Sequence, residues 1–336
     1  MKMRLLPAFI ICIISIQLKA QDLSSLYNKV LPSVVKIYTK ENINHPTLGF
    51  VATSGGLGSG VLIDEEGIIL TASHVVQMAN SIVVEFANGE TVPANIISSV
   101  PAADVALLKL AWKVKAPIVK LGDSDKMEVG NEIMMVGSPF GLNFSMSKGY
   151  ISGRRVLKKF TNGSKFIEFF QTDASINPGN SGGPMFNMNG EVVGIASYIL
   201  SKSGGFEGLG FAATSNICQS LLLDTDPVWI GVEATFISEG LVSILNVPQR
   251  SALLIQKVAP LSPADLMGLK GGFAILELNE ETVSVGGDIV LAVNGIEVKG
   301  EESYEAIFNA INSSNELVLK VYREGKTMNI VGKIKE

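Results

Sequence analysis

The chain is predicted to be mainly β and to hold two folded units in succession. Three observations lead there. At 336 residues it exceeds one typical domain and suits two. Its 34 glycines and 47% hydrophobic content fit a turn-rich globular chain. Short apolar runs recur between turn signals with no long helix separating them, which favours β-barrels over a parallel α/β sheet.

Residues 1–20 read as an export signal. Lys2 and Arg4 precede an apolar run from Leu5 to Leu18, and Leu18-Lys19-Ala20 stands before Gln21. The run is short for a membrane span of about twenty residues and carries Pro7 near its start, so cleavage after Ala20 is expected rather than a retained anchor. The leader takes away Lys2, Arg4 and Lys19 and no acid. The formal charge then moves from −5 to −8, with 24 basic against 32 acidic residues. That balance argues against nucleic acid as a partner, and Arg154, Arg155, Lys158 and Lys159 read as a solvated loop face. Cys12 leaves with the leader, so Cys218 has no partner for an internal disulfide. A periplasmic or secreted bacterial protein relying on its core fits this usage. Cys218, within the amphipathic stretch Ile217–Leu222, is expected to be a small buried hydrophobe.

Leu23, Leu26, Tyr27 and Val30 have helical spacing, giving a short helix over Asp22–Val30. Strands are expected at Val34–Thr39, Gly60–Ile63, Ile68–Thr71, Ile82–Phe86, Val105–Leu110, Ile133–Val136, Phe166–Phe170 and Val192–Ser197. Asn88-Gly89 and Asn189-Gly190 supply hairpin turns. Asp224-Thr225-Asp226-Pro227 interrupts the pattern and marks a boundary.

The chemistry centres on Gly179-Asn180-Ser181-Gly182-Gly183-Pro184. A serine among small, bendable residues can stand clear of the backbone, and the surrounding N–H groups can aim at the oxyanion its attack would create. Gly-rich turns also arise for purely conformational reasons, so the hexapeptide alone does not decide the matter. The chain has two histidines. His74 ends an apolar strand in Ile68–Val76, a place for a base and equally for a core or loop histidine; His45 sits in the polar stretch Asn42–Pro46 and reads as surface loop. Asp104 heads the apolar run Val105–Leu110, where an unpaired carboxylate would be costly and an imidazole would pair it, although a turn residue before a strand would also fit. The order His, Asp, Ser is that of chymotrypsin-like enzymes.

These segments resemble the HtrA (Deg) family of serine endopeptidases. The matching pieces are Gly58-Ser59-Gly60-Val61, Thr71-Ala72-Ser73-His74-Val75, Asp104–Lys109, Gly122-Asp123-Ser124-Asp125, Gly137–Leu142 and Gln171–Pro184, in family order over most of residues 30–217. Ala72-Ser73 and Ala213 depart from the usual pattern without touching a reacting atom. The resemblance implies a chymotrypsin-like double six-stranded β-barrel over 21–223, followed by an α+β PDZ domain over 228–334. It implies His74 as base, Asp104 as its orienting partner, Ser181 as nucleophile, and the N–H groups of Gly179 and Ser181 as the oxyanion hole. Ile176 matches the floor of the specificity pocket and, with Leu209, implies cleavage after small or medium apolar residues. Asn180 stands where zymogen-activated relatives carry Asp, so no activating cleavage is expected.

In the second unit the resemblance rests on Trp229-Ile230-Gly231-Val232, Leu253–Val258, Ser262–Leu269, Gly287–Gly295, Ser303–Ile311 and the strands near Leu317–Tyr322 and Met328–Val331. It implies that Ile230, Gly231 and Val232 capture the carboxylate of a chain end, although Trp229 and Ile230 would also serve as first-strand core. Phe273–Val285 reads as a hairpin inserted into a minimal PDZ domain. The implied partners are unfolded protein substrates, C-terminal peptides and further copies in a trimer or a multiple of it. No cofactor or metal site is read, because two histidines in separate contexts and the one cysteine left after the leader offer little to bind zinc. The expected activity is ATP-independent proteolysis of unfolded or damaged proteins. The alternatives are a chaperone or scaffold with little proteolysis, and a stress-sensing protease tethered by an uncleaved N-terminus.

Overall fold

A computed structural model describes residues 23–45, 50–157, 166–225, 227–278 and 281–335. The predicted leader, Lys158 and Lys159 lie outside them. Helix α1 (Leu23–Val30) opens the described chain and buries Leu26 and Val30, as its spacing predicts. Six strands then close into a barrel: β1 (Val34–His45), β2 (Phe50–Leu62), β3 (Ile68–Thr71), β4 (Ser81–Phe86), β5 (Thr91–Val100) and β6 (Val105–Leu110). The one-turn helix α2 (Ser73–Val76) follows β3. A second closed barrel holds β7 (Glu132–Gly137), β8 (Ser145–Leu157), β9 (Ile167–Thr172), β10 (Pro184–Phe186), β11 (Val192–Ile199) and β12 (Gly210–Thr214). The double six-stranded barrel is therefore present.

Two sequence expectations change. His45 is the last residue of β1, paired with Phe50, and not a loop residue. The mostly polar composition beyond Thr39 hid that extension, because strand pairing is made by the backbone and asks for no apolar run. Arg154 lies on β8 and is not part of a solvated loop face. It binds both carboxylate oxygens of Glu168, at 2.8 and 2.7 Å, and its guanidinium lies 5.1 Å from the Phe170 ring centre.

Period-two alternation explains why the barrel strands read as unbroken apolar runs. On β6, Val105 and Leu107 face the core between the barrels, whereas Ala106, Leu108 and Leu110 fill the first barrel. On β7, Met134 and Val136 join that shared core while Ile133 and Met135 fill the second barrel. Both faces of each strand are buried, so no polar face is needed. The shared core also takes Leu26, Val30 and, from α3 (Ser215–Cys218) and the turn after it, Cys218, Leu221 and Leu222. Burial pushes the Cys218 thiol up to about 12.

The C-terminal unit is a separate antiparallel sheet. It comprises β13 (Val232–Ser238), α4 (Glu239–Ile244), β14 (Ser251–Val258), α5 (Pro263–Leu266), β15 (Ala274–Leu278), β16 (Glu281–Val285), β17 (Ile289–Val293), β18 (Ile296–Glu297), α6 (Tyr304–Asn312), β19 (Glu316–Arg323) and β20 (Lys326–Lys333). The order is β13-β14-β17-β19-β20, with β18 on β17, so β13 is an open edge. β15 and β16 form their own hairpin, where an insertion is expected. Asp288, wholly buried before β17, accepts from Arg323 Nε and Nη2 at 2.5 and 2.6 Å. Among the described residues no helix is long and apolar enough to cross a membrane.

Candidate active site

The site lies where the two barrels meet. β3 delivers the chain into α2, and His74 is the second residue of that turn. Asp104 follows the 3-10 turn Pro101–Ala103 in a left-handed conformation, φ 53° and ψ 46°, which Asp tolerates better than most residues. The reversal turns its carboxylate back toward α2. There it accepts from the His74 backbone N–H at 2.9 Å and faces His74 Nδ1 at 2.8 and 3.0 Å. A carboxylate can only accept, so the ring proton sits on Nδ1 and Nε2 is left as an acceptor.

Ser197 Oγ on β11 also donates to the Asp104 carboxylate. The His74 side chain is 51% exposed and that of Asp104 18%. Desolvation pushes the imidazole's pKa down, but the bond to Asp104 and its charge outweigh that, and the net direction is up.

The Ser181 turn is fastened from both sides. The Ser181 carbonyl accepts from Ser59 N at 2.8 Å, and Gly182 N donates to Ala196 O at 2.7 Å. Ser59 is completely buried, and its hydroxyl donates to Gly179 O at 2.6 Å while accepting from Ser138 N at 3.0 Å. Thr71 Oγ1 donates to Ser59 O at 2.7 Å, tying this turn to the strand that leads to His74.

Two glycines are obligatory here. A Cβ on Gly182, φ 81°, would lie 2.2 Å from Thr71 Oγ1 and 2.3 Å from Ser59 O. A Cβ on Gly179, φ 99°, would lie 2.3 Å from Ser138 O. Pro178 O accepts from Phe140 N at 2.8 Å, so in the planar trans peptide the Gly179 N–H faces the opposite way. Among the described residues neither that N–H nor the one of Ser181 has a hydrogen-bond partner, and the Ser181 hydroxyl has none either.

Ile176 is buried in the second-barrel cluster, against which the partly buried Ile199 and Phe206 pack. Leu209 packs against the shared inter-barrel core, whereas Phe206 packs against the cluster that holds Ile176. A Cβ at Gly210 would meet Ile176 Cδ1 at 2.8 Å and Phe206 Cε2 at 3.2 Å. Ser59, Thr71, Ser197 and Phe206 were given no role from sequence. The legible signal for the first three is a hydroxyl within an otherwise buried strand, since such a group needs a partner.

Comparison with known proteins adds lineage to this geometry. The profile of the trypsin-like peptidase domain matches residues 58–195. A protein of Halomonas elongata named "Probable periplasmic serine endoprotease DegP-like" is 31% identical over 352 aligned positions, covering 93% of this chain and 70% of the relative. The chain belongs to the HtrA/Deg family. An HtrA/Deg relative of the same name from a Marinomonas strain is 37% identical, covering 82% of this chain and 56% of its own length. The Pseudomonas putida GB-1 relative is 38% identical, with 75% and 54% covered. The chain thus spans about half the length of several such relatives. Among solved structures, the HtrA-type protease AlgW with decapeptide aligns over 94% of this chain and 98% of its own, at 26% identity and a TM-score of 0.52. AlgW with tripeptide aligns with a TM-score of 0.53.

Proposed function

We propose that this HtrA/Deg chain is an exported, periplasmic serine endopeptidase acting on unfolded or damaged proteins without ATP. The observation that carries the reading is the Asp104–His74 pair, which leaves Nε2 free to accept, beside a serine turn with two unpartnered N–H groups. Ser181 Oγ attacks the scissile carbonyl and passes its proton to His74 Nε2; His74 then returns it to the departing amine. Asp104 fixes the tautomer and stabilises the imidazolium. Water repeats the cycle on the acyl-enzyme. The Gly179 and Ser181 N–H groups receive the oxyanion, each such donor contributing about 3 kcal/mol in comparable sites. Substrate closes the Ser181–His74 hydrogen bond, since such contacts are loose in unliganded enzymes.

Ile176 and Phe206 make the residue before the cut small or medium and apolar. Neither offers a carboxylate for Lys or Arg. The barrels and their α1 approach, 21–223, form the protease domain, and 228–334 form a PDZ domain. Its open β13 edge takes a peptide C-terminus by strand addition, with the Ile230–Val232 turn holding the carboxylate.

Degradation of casein by the wild type and by Ser181→Ala tests this. Cleavage should vanish in the variant, together with labelling by a serine-directed phosphonylating probe. Equal cleavage by both would remove Ser181 from the mechanism. Cut sites mainly after Lys or Arg would remove the apolar pocket.

A further inference from the structure

His74 and Asp104 arrive on different elements, so their spacing has to be fixed from outside the pair. His74 is the second residue of α2, and Asp104 follows β5 through the turn Pro101–Ala103. β3, which leads into α2, does not pair with β5. Both pair with β6, where Ala106 stands between Thr71 and Ser99. Past the ends of those strands, side chains join α2 to β5.

Ser73 and Ser99 are buried, at 1% and 5% exposure, and their hydroxyl oxygens lie 2.9 Å apart. Ser99 Oγ donates to Gln77 Oε1 at 2.7 Å, whereas Ser73 Oγ is 3.4 Å from that oxygen. Gln77 Nε2 is committed to Val232 O at 3.0 Å, which keeps Oε1 toward the serines. A hydroxyl has one proton, and an amide oxygen can only accept. The Ser99 proton therefore goes to Gln77, and the Ser73 proton goes to Ser99. Gln77 N donates to Ser73 O at 2.8 Å and so closes a ring of three residues. One member stands near the end of β5, and the other two bracket the turn that carries His74. The adjacent Ser98 is wholly buried as well, yet among the described residues its hydroxyl has no hydrogen-bond partner.

We propose that Ser99 is a positioning residue for the His74–Asp104 pair: its hydroxyl ties the histidine's turn to the strand that delivers the carboxylate. This rests on the endopeptidase reading given above. With the ring opened, His74 keeps its desolvation and loses part of its contact with Asp104, the charged group that acts on it. The imidazole's pKa then falls, and it takes the Ser181 proton from a poorer position.

The test uses the full chain and a fluorogenic peptide with an apolar residue before the cut, active sites being counted with the phosphonylating probe. Ser99→Ala should lower kcat per labelled site about fivefold, the worth of one neutral hydrogen bond. KM should stay the same, and the acid limb of kcat/KM should move to lower pH. Ser99→Thr keeps the hydroxyl and should match the wild type in both readouts. Ser98→Ala removes a neighbouring buried hydroxyl that bonds to nothing and should leave both in place. Should Ser99→Ala not fold, Ser73→Ala opens the ring from the other side and carries the same two expectations. An unchanged kcat, or a lower kcat with the acid limb unmoved, overturns the positioning role while the endopeptidase reading stands. A wild type that neither labels nor cleaves overturns that reading and the proposal with it.

Discussion

Four features agree at Asp104, the proposed partner of the base. Its left-handed backbone turns the carboxylate round, the His74 amide and ring both meet it, and Ser197 saturates it from the second barrel. The sequence disclosed the His74 imidazole as a partner but not Ser197, because a lone hydroxyl in Val192–Ile199 carries no spacing to distinguish it. Ser197→Ala removes a hydrogen bond to a charged group, of roughly 1.5 kcal/mol or more, so kcat should fall about tenfold in steady-state assays of peptide cleavage. The pH profile of the wild type follows from His74. As the proposed base it must be neutral, and its pKa is raised, so activity should fall as the pH drops through a value above the ordinary 6.5. An acid limb below 6.5 in kcat/KM would contradict the Asp104–His74 pairing.

The turn of Ser181, the proposed nucleophile, is an element held by its neighbours rather than by its own hydrogen bonds alone. Ser59 on β2, its hydroxyl in turn held by the Ser138 N–H after β7, grips Gly179 from one side, and Ala196 on β11 grips Gly182 from the other. The glycines and the serine were legible from sequence as a motif, because only Gly fits backbone approaches this close. The grip itself was not legible, since it joins residues as far apart as Ser59 and Gly179. Gly179→Ala brings a Cβ to 2.3 Å of Ser138 O at φ 99° and must displace the turn. Losing one oxyanion donor costs about 3 kcal/mol, so cleavage should drop by roughly a hundredfold while substrate binding changes little. A variant with unaltered kcat would show that the Gly179 amide takes no part. The long β1–β2 hairpin illustrates the opposite failure of reading: the mostly polar composition beyond Thr39 said loop, although the backbone pairs through His45.

The molecule joins a double barrel to a smaller sheet, and the two have different anchors. The barrels share one apolar core, whereas the C-terminal sheet depends on Asp288 and Arg323 as well as its own apolar cluster. Breaking a buried ion pair by removing one partner costs about 3 to 5 kcal/mol. Arg323→Ala should therefore lower the melting transition of the C-terminal unit in scanning calorimetry and leave that of the barrels in place; a single transition shifted as a whole would mean that the units melt together. Lys257, 3.6 Å from both Glu41 and Glu233, adds a solvent-screened tie between the units of little energetic weight. The two-unit layout was readable from Asp224–Pro227, but Gln77 meeting Val232 was not, for nothing in either segment announces the other. The alternation along β6 has one more consequence. Each apolar residue there is addressed to one of two interiors by parity alone, so inserting or deleting a single amino acid would misdeliver every apolar side chain that follows. Drift in chain length between relatives should accordingly be confined to the turns, with the strands of the seam kept to a fixed count.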